Sequence, residues 1–143
     1  MKSKVSLKAR STGPDLTLTV CLDGYTIYQD QPGDDPVEIS HEFWDNDNTT
    51  THTLTLQLSG KEANHTRLDA NGEIIEDRVI HITDVAFDNI LLGHLFVEKA
   101  QYHHDFNGYG EPIVDKFFGA MGCNGTVELE FSSPIYLWLL ENM

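Results

Sequence analysis

The side chains most able to do chemistry in this 143-residue chain are its seven histidines and its 23 acids. A transition-metal centre asks for His-x-His on a strand, or two histidines one helical turn apart, with a carboxylate in support. The nearest approach is His103-His104-Asp105, but adjacent residues on a strand face opposite ways. Calcium suits the oxygen-rich clusters better. Asp45-Asn-Asp-Asn48 and Asp69-Ala-Asn-Gly72 both place oxygen ligands at alternate positions. Aligning the second on an EF-hand loop at Gly72 puts Arg67 at the first ligand and Arg78 at the bidentate glutamate, so that reading fails and Asn71-Gly72 reads as a hairpin turn. Asp45 and Asp47 are left as a candidate loop calcium site. No Gly-x-Ser-x-Gly occurs, neither cysteine has an adjacent base, and no carboxylate pair stands out for acid–base work. The expectation is a chain that is not an enzyme, with a small metal-dependent enzyme as the remote alternative.

A second chemistry is sugar recognition, in which an aromatic face stacks on pyranose C–H groups while carboxylates and amides fix the hydroxyls. Trp44 stands beside Asp45 and Asp47, and the stretch 102–109 combines Tyr102, Asp105 and Tyr109 with histidines and an amide. These six residues are the candidate glycan contacts.

Composition narrows the partners. A formal charge of -14 and a pI near 4.6 repel phosphate backbones and anionic lipid, so neither nucleic acid nor membrane is expected as a partner. Two cysteines without Cys-x-x-Cys spacing signal neither a disulfide framework nor zinc. They read as two small buried thiols. The basic start MKSKVSLKAR has no apolar run after it, so no signal peptide is expected.

The elements that must position these residues are strands. Apolar residues alternate at 16, 18, 20 and 22, at 54, 56 and 58, and at 127, 129 and 131, each the mark of a half-buried strand. Val37 to Phe43 alternates less cleanly, and Val79 to Phe87 is long enough for one strand with a bend. Asp23-Gly24, Ser59-Gly60, Asn71-Gly72 and Asn124-Gly125 supply tight turns. The stretch 88–101 reads either as strand or as a short helix, because Leu91, Leu92, Leu95 and Phe96 fall at helical spacing. Many short strands in one chain predict an all-β protein: one domain over 1–143, an antiparallel β-sandwich of jelly-roll type.

The closing SSPIYLWLLENM carries six consecutive apolar residues, far fewer than the about 20 a membrane span needs. Its alternation predicts a last strand, with Ile135, Leu137 and Leu139 on one face and Tyr136, Trp138 and Leu140 on the other. One face would join the core; Tyr136, Trp138 and Leu140 are the candidate interface for self-association or assembly.

LTLTVCLDGYTIYQ, THTLTLQLSGK and EDRVIHITDVAFDNILL, within residues 16–93, resemble the calcium-dependent xylan-binding type of carbohydrate-binding module. Asp23-Gly24, His52, Asp77-Arg78 and Asp88-Asn89 occupy the places of that family's motifs; Val79 stands where the family has Asn, and no Gly follows Asn89. The resemblance implies a β-sandwich that binds glycan without catalysis through a loop calcium, which adds Asp77 to Asp45 and Asp47 as a candidate ligand. From His94 onward the chain is similar to small β-sandwich virion proteins of tailed, particularly marine, phages. That likeness implies a bacteriophage structural protein found on the virion or in the host bacterial cytoplasm during assembly, with glycan, other virion proteins or further copies of itself as partners.

Overall fold

The structure is a computed structural model that describes residues 2–45, 50–62, 65–105 and 110–142. Along the chain run β1 (Lys2–Ser11), β2 (Thr17–Leu22), β3 (Tyr25–Asp30), β4 (Val37–Trp44), β5 (Thr50–Ser59), β6 (Arg67–Leu68), β7 (Ile74–Glu76), β8 (Ile80–Phe87) and β9 (Ile90–Leu91). Then follow α1 (His94–Lys99), β10 (Gln101–His104), β11 (Ile113–Lys116), β12 (Ala120–Met121), β13 (Gly125–Ser133) and α2 (Ile135–Asn142).

Two antiparallel sheets form the sandwich. One runs β12-β8-β1-β4, with β9 paired to β8; the other runs β11-β10-β13-β5-β2-β3. The alternation read from the sequence is the alternation that packs: Leu16, Leu18, Val20 and Leu22, then Leu54, Leu56 and Leu58, then Val127, Leu129 and Phe131 are all buried between the sheets. In β8 the bend is a bulge. Asp84 has a φ of 54°, and the pairing with β1 shifts register between Ser6 and Lys8, which turns Ile80, Ile82, Val85 and Phe87 all inward.

The turns behave as their residues dictate. Asp23-Gly24 has φ of 52° and 83° and joins β2 to β3; Asp88-Asn89 has φ of 51° and 66° and joins β8 to β9. Positive φ at both central positions matches the twist of a two-residue hairpin. Asn71-Gly72 does close a hairpin, β6 with β7, with Asp69 Oδ1 accepting the amides of Asn71 and Glu73.

One segment settles an alternative the sequence leaves open, and another corrects the sequence reading. Residues 94–99 are helical, and Leu95 and Phe96 point into the core. The closing segment is a helix, α2, not a strand. Its first free amide, Ile135 N–H, donates to the carboxylate of Asp45 at 3.1 Å, and Asn142 Nδ2 donates to the Trp138 carbonyl at 2.7 Å. A carboxylate at the N-terminus suits the helix dipole. Ile135, Trp138 and Leu139 face inward at i, i+3 and i+4, leaving Tyr136, Leu137 and Leu140 outside. The expected set Tyr136, Trp138 and Leu140 is therefore split. Trp138 is core, set edge-on to Phe87 and Phe131, and only Tyr136 and Leu140 are available to a partner.

Candidate functional site

The sandwich has two ends. At one lie Lys2 opposite Trp44, Ser133 opposite Thr50, and the start of α2. At the other lie Ser11 opposite Ile80, Leu58 opposite Gly125, and Gly125 opposite His104. Asp45 receives Ser3 Oγ at 2.9 Å, while the carbonyl of Asp77 receives Thr12 Oγ1 at 3.1 Å. Nine residues of extended chain between Ser3 and Thr12 span about 30 Å, so Asp45 and Asp77 do not share a site.

The expected glycan residues are split the same way. Trp44 is 63% exposed beside Lys2, whose ammonium sits 5.5 Å from the ring. Asp45 next to it is buried as the cap of α2. Tyr102 and Asp105 sit at the opposite end, on and just after β10. Tyr102 is a core residue: its hydroxyl donates to the Cys123 carbonyl and receives the Cys123 amide at 3.1 Å. Burial pushes that hydroxyl up to about 12, against the opposing effect of the Cys123 N–H. It offers no face to a sugar. Asp47 and Tyr109 lie outside the described residues.

Of the candidate calcium ligands, the two that are described, Asp45 and Asp77, do not fit a calcium ion. Calcium takes 6–8 oxygens at about 2.3–2.6 Å. Asp45 is committed to Ser3 and the Ile135 amide. Asp77 Oδ1 accepts the Lys61 ammonium, Thr66 Oγ1 at 2.7 Å and the Arg78 amide at 2.9 Å. Burial alone would raise the Asp77 carboxyl, but the hydrogen bonds from Lys61 and Thr66, the lysine charge and the Arg78 amide outweigh it and hold it below the ordinary carboxylate range. Among the described residues no group of three or more His, Cys, Asp or Glu side chains is placed to hold a metal ion.

The other motif residues are structural as well. Asp23 of the Asp-Gly turn receives His52 Nδ1 at 2.7 Å and the Thr53 amide at 2.8 Å, pinning the β2–β3 turn to β5. Asp88 Oδ1 receives the Lys4 amide at 2.7 Å. Cys21 and Cys123 are free and half-buried, not the fully buried thiols expected.

What the far end does present is a cleft of about 550 Å³ lined by Gln57, Leu58, Ser59, His103, His104, Asp105, Pro112, Ile113, Val114, Asn124 and Gly125. Val114, His103, Thr126 and Gln57 form one cross-strand row over β11, β10, β13 and β5. Gly125 allows the strands to close up beneath the cleft, since a Cβ there would lie 2.3 Å from the His103 carbonyl oxygen. His104 is held by Asp115 at 2.9 Å, and His103 Nε2 lies 3.6 Å from the Glu128 carboxylate. The trough thus combines an aliphatic wall, Pro112 to Val114, with amides, a hydroxyl, imidazole and a carboxylate. Of these, the sequence points to Asp105 alone as a glycan contact. Gln57 sits on a strand read correctly and Ser59, read as part of a turn, is that strand's last residue, but only the register brings them to His103.

Two antiparallel sheets in this order define an all-β sandwich. One solved structure whose fold it resembles is vCBM60 in a selenomethionine form, described with a circular permutation linking two families of calcium-dependent carbohydrate-binding modules. The TM-score is 0.52 at 8% identity, covering 89% of this chain and 89% of that one. vCBM60 in complex with galactobiose also matches, with a TM-score of 0.45 and 10% identity over 88% of this chain and 96% of that one. No protein-family model matches the chain, and no curated protein matches it.

Proposed function

We propose that this chain is a non-catalytic glycan-binding module and that the sugar lies in the cleft between His103, Gln57 and Val114. The observation that carries this is the cleft's two-sided chemistry. The aliphatic wall of Pro112, Ile113 and Val114 suits sugar C–H faces, and Gln57, Ser59, His103 and Asp105 stand opposite with donors and acceptors for hydroxyls. Affinity electrophoresis through a panel of polysaccharides tests it. A polysaccharide that retards the wild type should retard the Gln57→Ala/His103→Ala variant at least about tenfold less, the loss of two hydrogen bonds of about 1 kcal/mol each. Trp44→Ala, at the opposite end of the sandwich, should bind as the wild type does. Retention by no polysaccharide, or loss on removing Trp44 instead, removes this reading.

A second reading, favoured by the outward face of α2, is a structural role as a phage virion component that associates with further copies of itself. Tyr136, Leu137 and Leu140 lie exposed on that helix, Leu140 at 71%. Sedimentation equilibrium should show an oligomer that Leu140→Glu converts to monomer; a monomeric wild type ends this reading and leaves the glycan site untouched.

A further inference from the structure

Lys61 is a lysine in a place lysines rarely occupy, with its side chain 1% exposed. A buried ammonium costs several kcal/mol unless its protons find acceptors. Here it donates to Asp77 Oδ1 and to the Arg78 carbonyl. The segment around it is tied down on every side. Asn124 accepts the Lys61 amide at 2.8 Å and donates to the Lys61 carbonyl at 2.9 Å. Arg78 reaches back to the Pro14 carbonyl and the Asp15 carboxylate, both at 3.1 Å. Gly60, with φ of 88°, lets the chain turn under residue 15, where a Cβ would lie 2.4 Å from the Asp15 carbonyl oxygen. One ammonium therefore stands at the meeting point of segments 12–15, 59–61, 66, 77–79 and 122–125.

We propose that Lys61 is the resident cation of this end of the sandwich: its ammonium gathers the Asp77 carboxylate and the Arg78 carbonyl, and calcium does not bind there. The resemblance to calcium-dependent modules would make Asp77 a metal ligand. The oxygens a divalent ion would need are instead occupied by a positive charge supplied by the chain, and a calcium ion beside it would meet like charge at close range. Lys61 is two residues from Ser59 and is clamped by Asn124, so the back of the cleft is fixed by the same lysine. This assignment stands whether or not the cleft binds sugar.

The test uses the full-length protein labelled with nitrogen-15 and titrated with calcium chloride to about 10 mM, tenfold above the weakest affinities of extracellular calcium modules. The amide signals of Lys61, Thr66, Arg78 and Asn124 should stay in place; a saturable shift of these four overturns the proposal. As a second arm, Lys61→Met should lower the Tm by about 10 °C or more, and adding Asp77→Asn should recover part of that loss, because no carboxylate is then left without its partner. Strictly additive losses also overturn it. If Lys61→Met does not fold, the wild-type titration decides alone.

Discussion

Truncating Trp138 to alanine is expected to cost about 3–5 kcal/mol of folding stability, the usual penalty for removing a large aromatic from a packed core. The ring is 7% exposed and closes the end of the sandwich by meeting Phe87 at 5.9 Å and Phe131 at 6.2 Å between centroids. Phe131 in turn contacts Phe87, Phe43 and His52, so the void would open beneath an aromatic cluster that cannot easily collapse. Urea unfolding followed by tryptophan-independent circular dichroism measures the loss. Tyr136→Ala on the opposite face of the same helix should change stability by no more than about 0.5 kcal/mol. Equal effects at the two positions would mean that the helix does not pack by the face described.

Replacing Asp77 by alanine should be of similar size, about 3–5 kcal/mol, because the buried Lys61 ammonium would lose its carboxylate. The same pair sets an acid dependence whose sign is fixed. The folded-state Asp77 carboxyl is held below its ordinary value, so the unfolded chain takes up the proton first as pH falls. The stability it contributes is fully present above an unfolded pKa of about 3.9 and is lost as pH falls through the folded value. Unfolding free energies measured between neutral pH and the acid limb should therefore fall less steeply for Asp77→Asn than for the wild type. An unchanged acid slope would show that Asp77 is not the carboxylate involved.

The sheets were legible because burial on one face writes itself as alternation, and the strands at 16–22, 54–58 and 127–131 carry little else. Turns were legible where the backbone needs positive φ, as at Asp23-Gly24 and Asn71-Gly72. The C-terminal segment misled because it is apolar in both periods. Ile135, Trp138 and Leu139 satisfy a helix as well as Ile135, Leu137 and Leu139 satisfy a strand. Pro134 ahead of the segment is a helix-start signal that could have tipped the balance. The cap itself, Asp45, lies 90 residues away and has no local signature.

The candidate site was less legible, since it depends on which residues meet across strands. Trp44 and Tyr102 look alike in sequence, each an aromatic beside polar neighbours. One lies on the rim at the α2 end, and the other is buried at the opposite end against Cys123. Lys61 follows a Ser-Gly turn and reads as a surface residue until Asp77 and Asn124 are brought over it. Gln57 and His103 become neighbours of the cleft through the register of β5, β13 and β10, which no spacing along the chain encodes.

The most direct measurement is a nitrogen-15 correlation spectrum of the wild-type protein titrated with an oligosaccharide of whichever polysaccharide retards it on gels. Binding in the cleft is expected to shift the signals of Gln57, Ser59, His103, Val114 and Asn124 together and to leave Lys2, Trp44 and Tyr136 in place. Shifts centred on Lys2 and Trp44, with the five cleft residues unmoved, would contradict the account.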